Sequence, residues 1–238
     1  MTELLYVHDS YLQAFDAVVT AHSEGTVALT RTAFFPGGGG QPTDTGWLRW
    51  GGGEARVIAL AKGAGECWHR LEGTLPPMGT RVQGALDWDR RYAIMRYHSA
   101  LHVLVGAVYH LFDARVTGGA IYPDRARMDF ALDDLNKERI TAIAAEANRV
   151  IGEERRISAR SLSRAEFERL DLVRLAKNLI PAELTEIRVI EIEGFDAQAD
   201  GGTHVANTRE IGVLEITKTE NKGKVNRRLE IVLRSGAA

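Results

Sequence analysis

Two short motifs far apart in the chain, His98-Ser-Ala-Leu-His102 and Asp200-Gly-Gly-Thr-His204, constrain what this sequence can fold into. Histidines four residues apart on a helix project from one face, a single turn from each other. In the second motif two glycines let the backbone turn sharply, so a carboxylate and an imidazole can reach one point. Together the motifs supply three nitrogens and one oxygen, a ligand set and count that suit tetrahedral Zn²⁺. The expected site is therefore a Zn²⁺ centre built from His98, His102, His204 and Asp200.

The text around these motifs changes character once. Up to Asp87 it reads as short β-like runs broken by glycine and proline, among them residues 25–33, 46–50, 54–60, 66–71 and 81–86, which suggests a small antiparallel β-barrel. From Asp87-Trp-Asp89, with either aspartate as cap, a period near 3.6 runs through Ile94, Leu101, Leu104, Val105 and Val108 to Phe112. The spacing predicts a helix over 89–112 with His98 and His102 in its middle. Extended segments are expected at 114–122 and 126–132, then a helix over 135–154 capped by Asp133 or Asp134. Residues 157–162 read as extended, and Ser163 with Glu166 forms a capping box opening a short helix. The end reads as a meander of 187–192, 203–208, 211–218 and 227–233, with the turn Asn221-Lys-Gly-Lys224 between the last two. The predicted class is α+β: a β-barrel domain over 1–88, then an α+β domain over 89–238 with a long metal-binding helix packed on an antiparallel sheet.

Composition narrows the setting. No apolar run approaches the roughly 20 residues of a membrane span, so no membrane partner is expected. The single cysteine, Cys67, rules out an intrachain disulfide, and the cytoplasm is the default compartment. Net charge is −2, yet Lys218, Lys222, Lys224, Arg227, Arg228 and Arg234 crowd the last stretch against Glu215, Glu220 and Glu230. A local basic patch can hold a phosphate backbone whatever the global sign.

With these segments in view the sequence resembles the AlaX family of stand-alone alanyl-tRNA editing proteins and the related editing domain of alanyl-tRNA synthetase. The resemblance rests on Phe34-Phe-Pro-Gly-Gly-Gly-Gly-Gln-Pro42 followed by Asp44-Thr-Gly46, on His98-x-x-x-His102, on Asp200-Gly-Gly-Thr-His-Val-Ala-Asn-Thr208, and on Lys222-Gly-Lys224 with Arg227 and Arg228. Order and length look like the medium-sized branch. The resemblance implies a hydrolase that deacylates tRNA(Ala) mischarged with serine, chiefly, or glycine. Where the family most often reads Cys-Gly-Gly-x-His, this chain has Asp200. That aspartate is read as a direct ligand, a water-activating carboxylate or a turn residue.

The remaining site assignments divide by chemistry. Gly37 to Gly40 lack Cβ atoms, so the backbone of Gly38, Gly39 and Gly40 can approach a terminal adenosine or the aminoacyl group closely; a plain barrel turn is the alternative. No Gly-Lys-Ser/Thr follows, which argues against a nucleotide-phosphate loop, and amino-acid activation is not expected. Gln41 offers a donor and an acceptor, and the Thr32 hydroxyl can bond a serine side chain that alanine lacks, with Thr30 on the same strand face as its alternate. Lys222, Lys224, Arg227 and Arg228 are the expected tRNA contacts. Two rival activities remain: a metal-dependent hydrolase of another aminoacyl-tRNA ester, and a tRNA-binding module without catalysis.

Overall fold

The structure, a computed structural model, describes residues 1–177 and 180–235 and divides into two compact units, Met1–Ala93 and Ile94–Ala238. In the first, six antiparallel strands close a barrel in the order Ala14–Ser23, Thr26–Leu29, Glu66–Gly73, Gly53–Gly63, Gly46–Trp50 and Arg81–Leu86. Pairing of Ala14–Val18 with Arg81–Ala85 closes the ring, which leaves no strand edge to aggregate. Side chains alternate across each strand, so Phe15, Ala17 and Val19 point inward with Val27, Leu29, Phe34, Leu48 and Val57. The strand Ala14–Ser23 lies outside the segments that turn residues mark in the sequence.

A helix spans Trp88–Phe112. Asp87 does not cap it with its side chain: the carboxylate is taken by Arg56, 2.8 Å from Oδ1, and by the Thr45 hydroxyl. From Tyr97 to Val108 every residue is buried. The 3.6 period suggested one apolar face; in the second unit the helix is instead enclosed on all sides, as a helix apolar all round must be. Each fully buried leucine or valine there contributes about 1.5–3 kcal/mol.

Two sheets are tied to that helix segment by hydrogen bonds. One has four antiparallel strands in the order Val213–Asn221, Arg227–Arg234, Ala126–Phe130, Val116–Ile121; the other has three, Ile157–Ser163, Glu186–Ile192, Asp196–Ala199. Tyr97 ties the helix to the first, donating to Asp124 O at 2.6 Å and accepting from Leu233 N at 3.2 Å. Gln198 ties it to the second, donating to His102 O at 2.9 Å. The chain is therefore α+β throughout.

Two local readings change and one holds. The second helix is Lys137–Gly152, capped by Asn136, whose side chain accepts from Arg139 N, rather than by Asp133 or Asp134. Ser163 and Glu166 do form both bonds of a capping box. Residues 203–208 are not a strand. Their backbone is bonded elsewhere: Val205 N donates to Ser99 Oγ and Thr208 N to Arg155 O, and Asn207 then caps a 3₁₀ turn, Thr208–Ile211. The strand beside Glu186–Ile192 is Asp196–Ala199.

Candidate metal centre

Four side chains meet in the second unit. The ligand atoms of His98, His102, Asp200 and His204 all lie within 4.8 Å of one another. His98 and His102 are one turn apart on the buried helix, with ring centroids 5.0 Å apart. The His204 ring stands 4.2 Å from that of His98 and 4.5 Å from that of His102. Asp200 closes the group, its Oδ1 3.5 Å from His98 Nε2 and its Oδ2 3.1 Å from His204 Nε2. The three histidines are only 4–7% exposed.

Electrostatics favours the ligating forms. Burial, reinforced by His204 and His98, holds the His102 pKa well below its ordinary value, and burial with His98 pushes His204 down to about 4. Burial acts to raise the Asp200 pKa, but His98 and His204 outweigh it and hold the carboxyl well below the usual range. The result is neutral His102 and His204 imidazoles beside a carboxylate. His102 Nδ1 is buried without a hydrogen-bond partner. A divalent cation fits this set, since it takes neutral imidazole and carboxylate donors and offsets the buried negative charge.

The loop is held by residues that its motif does not reveal. The Asp200 carboxylate accepts from Gly202 N, closing a local turn. Arg188 accepts Asp200 N on its own carbonyl and donates from Nη1 to Asp200 O at 3.1 Å and Gly202 O at 2.9 Å. Asp196 and Gln198 lie behind the helix. Gln198 reaches the backbone carbonyl of His102 rather than its ring, and also bonds Asp196, which Arg174 grips through two nitrogens. Gly106, one turn past His102, makes room for this: a Cβ there would lie 2.5 Å from the Phe195 ring. An isolated glycine inside a helical pattern was the signal available for it; Arg188 had none.

The glycine-rich segment belongs to the first unit. Gly37 to Gly40 all have positive φ, which side chains resist, and Gly38 and Gln41 exchange backbone hydrogen bonds of 3.0 and 2.9 Å. Gly38, Gly39 and Gly40 are exposed, while Gln41 is buried. A buried arginine fixes the stems: Arg91 donates to Asp44 Oδ2 and to Ala33 O, while Asp44 also accepts from Phe35 N at 2.7 Å. Thr32 is fully buried, 2.8 Å from His69 Nε2 and accepting from Phe34 N at 3.1 Å. Thr30 does not share its face; it is exposed and accepts from Val18 N, because a bend at Thr30 interrupts the strand alternation. Burial pushes the Cys67 thiol up to about 12, so it behaves as a small apolar residue.

The basic hairpin of the second unit is differentiated. Arg228 forms a two-pronged pair with Asp129 at 2.6 and 2.7 Å. Arg227 donates to the carbonyls of Gly223 and Asp133. Lys222 and Lys224 are exposed at the turn, with Glu220 3.7 Å from the Lys222 amine.

Residues 5–90 match the family model described as tRNA synthetases class II (A), and residues 187–230 the one described as Threonyl and Alanyl tRNA synthetase second additional domain. The alanyl-tRNA editing protein AlaX-M of Methanosarcina mazei is 41% identical over 96% of this chain and 95% of its own length. Its counterpart in Saccharolobus solfataricus is 39% identical over 96% of this chain and 98% of its own. An alanine–tRNA ligase of Thermofilum pendens is 41% identical over 90% of this chain, which spans 24% of the ligase.

Proposed function

The chain belongs to the AlaX-M family of alanyl-tRNA editing proteins, and on that premise we propose that it deacylates tRNA(Ala) mischarged with serine, and with glycine, at a zinc centre held by His98, His102, His204 and Asp200. It is an aminoacyl-tRNA deacylase, and the bond it breaks is an activated ester. Hydrolysis of such a bond needs a placed water, a polarised carbonyl and a pocket that admits the wrong amino acid. The observation that carries the reading is the convergence of three imidazoles and a carboxylate in a buried site. When bound, zinc supplies a polarised carbonyl or a water with a pKa near 7, or orients the substrate.

The chain's own residues divide the rest of the work. His98, His102 and His204 are the neutral donors. Asp200, ionised and steadied by Gly202 N, is the fourth donor or the base that takes a proton from water. Gly38, Gly39 and Gly40 offer an exposed backbone to the terminal adenosine. Lys222 and Lys224 meet the phosphate backbone from the turn that Arg227 and Arg228 brace and charge.

Selectivity follows from hydrogen bonding. A synthetic site built for alanine cannot exclude glycine by size and rejects an added hydroxyl only modestly. A second site that bonds the serine hydroxyl inverts the preference, because Ala-tRNA(Ala) leaves its polar groups unpaired. Thr32 and Gln41 are the proposed hydroxyl partners; both are buried, and the Thr32 hydroxyl lies 2.8 Å from His69 Nε2.

Deacylation assays on Ser-, Gly- and Ala-tRNA(Ala) test the reading. Release of serine and glycine with Ala-tRNA(Ala) spared supports it. Hydrolysis confined to another aminoacyl-tRNA, or none at all, would overturn it.

A further inference from the structure

Ser99 is fully buried in the middle of the helix, beside His98 and outside the four-ligand set. A polar atom there is costly unless it is bonded. Its Oγ lies 3.3 Å from Nδ1 of His204 and accepts from Val205 N at 3.1 Å. One hydroxyl therefore joins the helix carrying His98 and His102 to the loop carrying His204.

The geometry around the His204 ring is two-sided. Nδ1 faces Ser99, and Nε2 faces Asp200 Oδ2 at 3.1 Å. A neutral imidazole holds one proton, and a serine hydroxyl can both donate and accept. In one arrangement Ser99 donates to Nδ1 while Nε2–H donates to Asp200, which leaves no lone pair towards the cluster. In the other, Nδ1–H donates to Ser99 and Nε2 presents its lone pair to His98 and Asp200. The ring is neutral in both, and only the position of the proton differs.

We infer that Ser99 is a positioning residue for the metal centre: its hydroxyl accepts a hydrogen bond from the Nδ1–H of His204 and so fixes the ring in the tautomer whose Nε2 can ligate. The inference rests on the zinc reading above. Alanine at this position would leave Val205 N and His204 Nδ1 without that partner.

Metal affinity separates this role from a merely structural one. Chelator competition with zinc should give about 10–100-fold weaker binding for Ser99→Ala, the range expected when the support of a ligating histidine is lost. Ser99→Thr, which keeps a hydroxyl, should bind close to the wild-type protein. Nitrogen NMR of zinc-loaded wild-type protein should show His204 protonated at Nδ1. Equal zinc affinity of Ser99→Ala and wild type would overturn the inference while leaving the zinc centre standing. So would an unprotonated Nδ1, a result available even where the alanine variant does not fold. Failure of the wild-type protein itself to bind zinc would instead overturn the zinc reading.

Discussion

Asp200 Oδ2 and His204 Nε2 lie 3.1 Å apart across a loop with no regular secondary structure between them. The approach is fixed from outside the pair, by Gly202 N on the carboxylate and by the Arg188 guanidinium on the carbonyls of Asp200 and Gly202. A carboxylate held this way carries the same formal charge as a thiolate. Asp200→Cys should therefore keep one zinc per chain, the softer ligand binding at least as tightly. Metal analysis after dialysis checks it; loss of zinc would mean that the oxygen ligand's geometry is essential.

Gly106 tests the packing that aligns the helix. An added Cβ would meet the Phe195 ring at 2.5 and 2.9 Å and Asp196 Cβ at 3.2 Å. Overpacking of this kind costs about 1–3 kcal/mol, against a helix-propensity gain of about 1 kcal/mol for alanine over glycine. Gly106→Ala should lower the thermal midpoint and weaken zinc binding, because the displaced hairpin also carries Gln198 to His102 O. A raised midpoint would show that Phe195 moves freely.

His69 gives the barrel a signed pH dependence. Burial pushes its pKa from 6.5 down to about 4. The folded value lies below the unfolded one, so acid favours the unfolded chain, which takes up a proton the native state refuses. The stability linked to this group is fully present above about pH 6.5 and is lost as pH falls through 4, roughly 3 kcal/mol in all. His69→Gln, which does not titrate, should flatten denaturant-measured stability across that window relative to wild type. An unchanged slope would assign the acid sensitivity elsewhere.

Much of this architecture is legible in the sequence. Turn residues bounding short β-like runs mark the barrel, and the i, i+4 histidines mark the helix that carries them. What escapes is contact between distant segments. Residues 203–208 alternate like a strand, yet Ser99, Arg155 and Glu210 take up their backbone groups instead. Arg188 and Arg91 look like ordinary arginines until folding sets one on the Asp200 loop and the other on Asp44. Neither the charge count nor the period distinguishes Arg228, paired to Asp129, from Lys224 at the exposed turn.

Thr32 carries the selectivity prediction. Thr32→Val should reduce hydrolysis of Ser-tRNA(Ala) more than that of Gly-tRNA(Ala), because shape is kept and only the hydroxyl is lost. An unsatisfied buried partner costs about 1–3 kcal/mol, or roughly five- to hundredfold in kcat/KM. Since valine also leaves His69 and Phe34 N without that hydroxyl, Thr32→Ser serves as the control and should retain the preference. Equal losses on both substrates would restrict Thr32 to supporting the barrel.

Deacylation of Ser-tRNA(Ala) during stepwise return of zinc to metal-stripped protein tests the central claim most directly. The rate should rise with occupancy and level off at one ion per chain, as expected for a single centre of His98, His102, Asp200 and His204. Full activity in the stripped protein, before any zinc is returned, would contradict it.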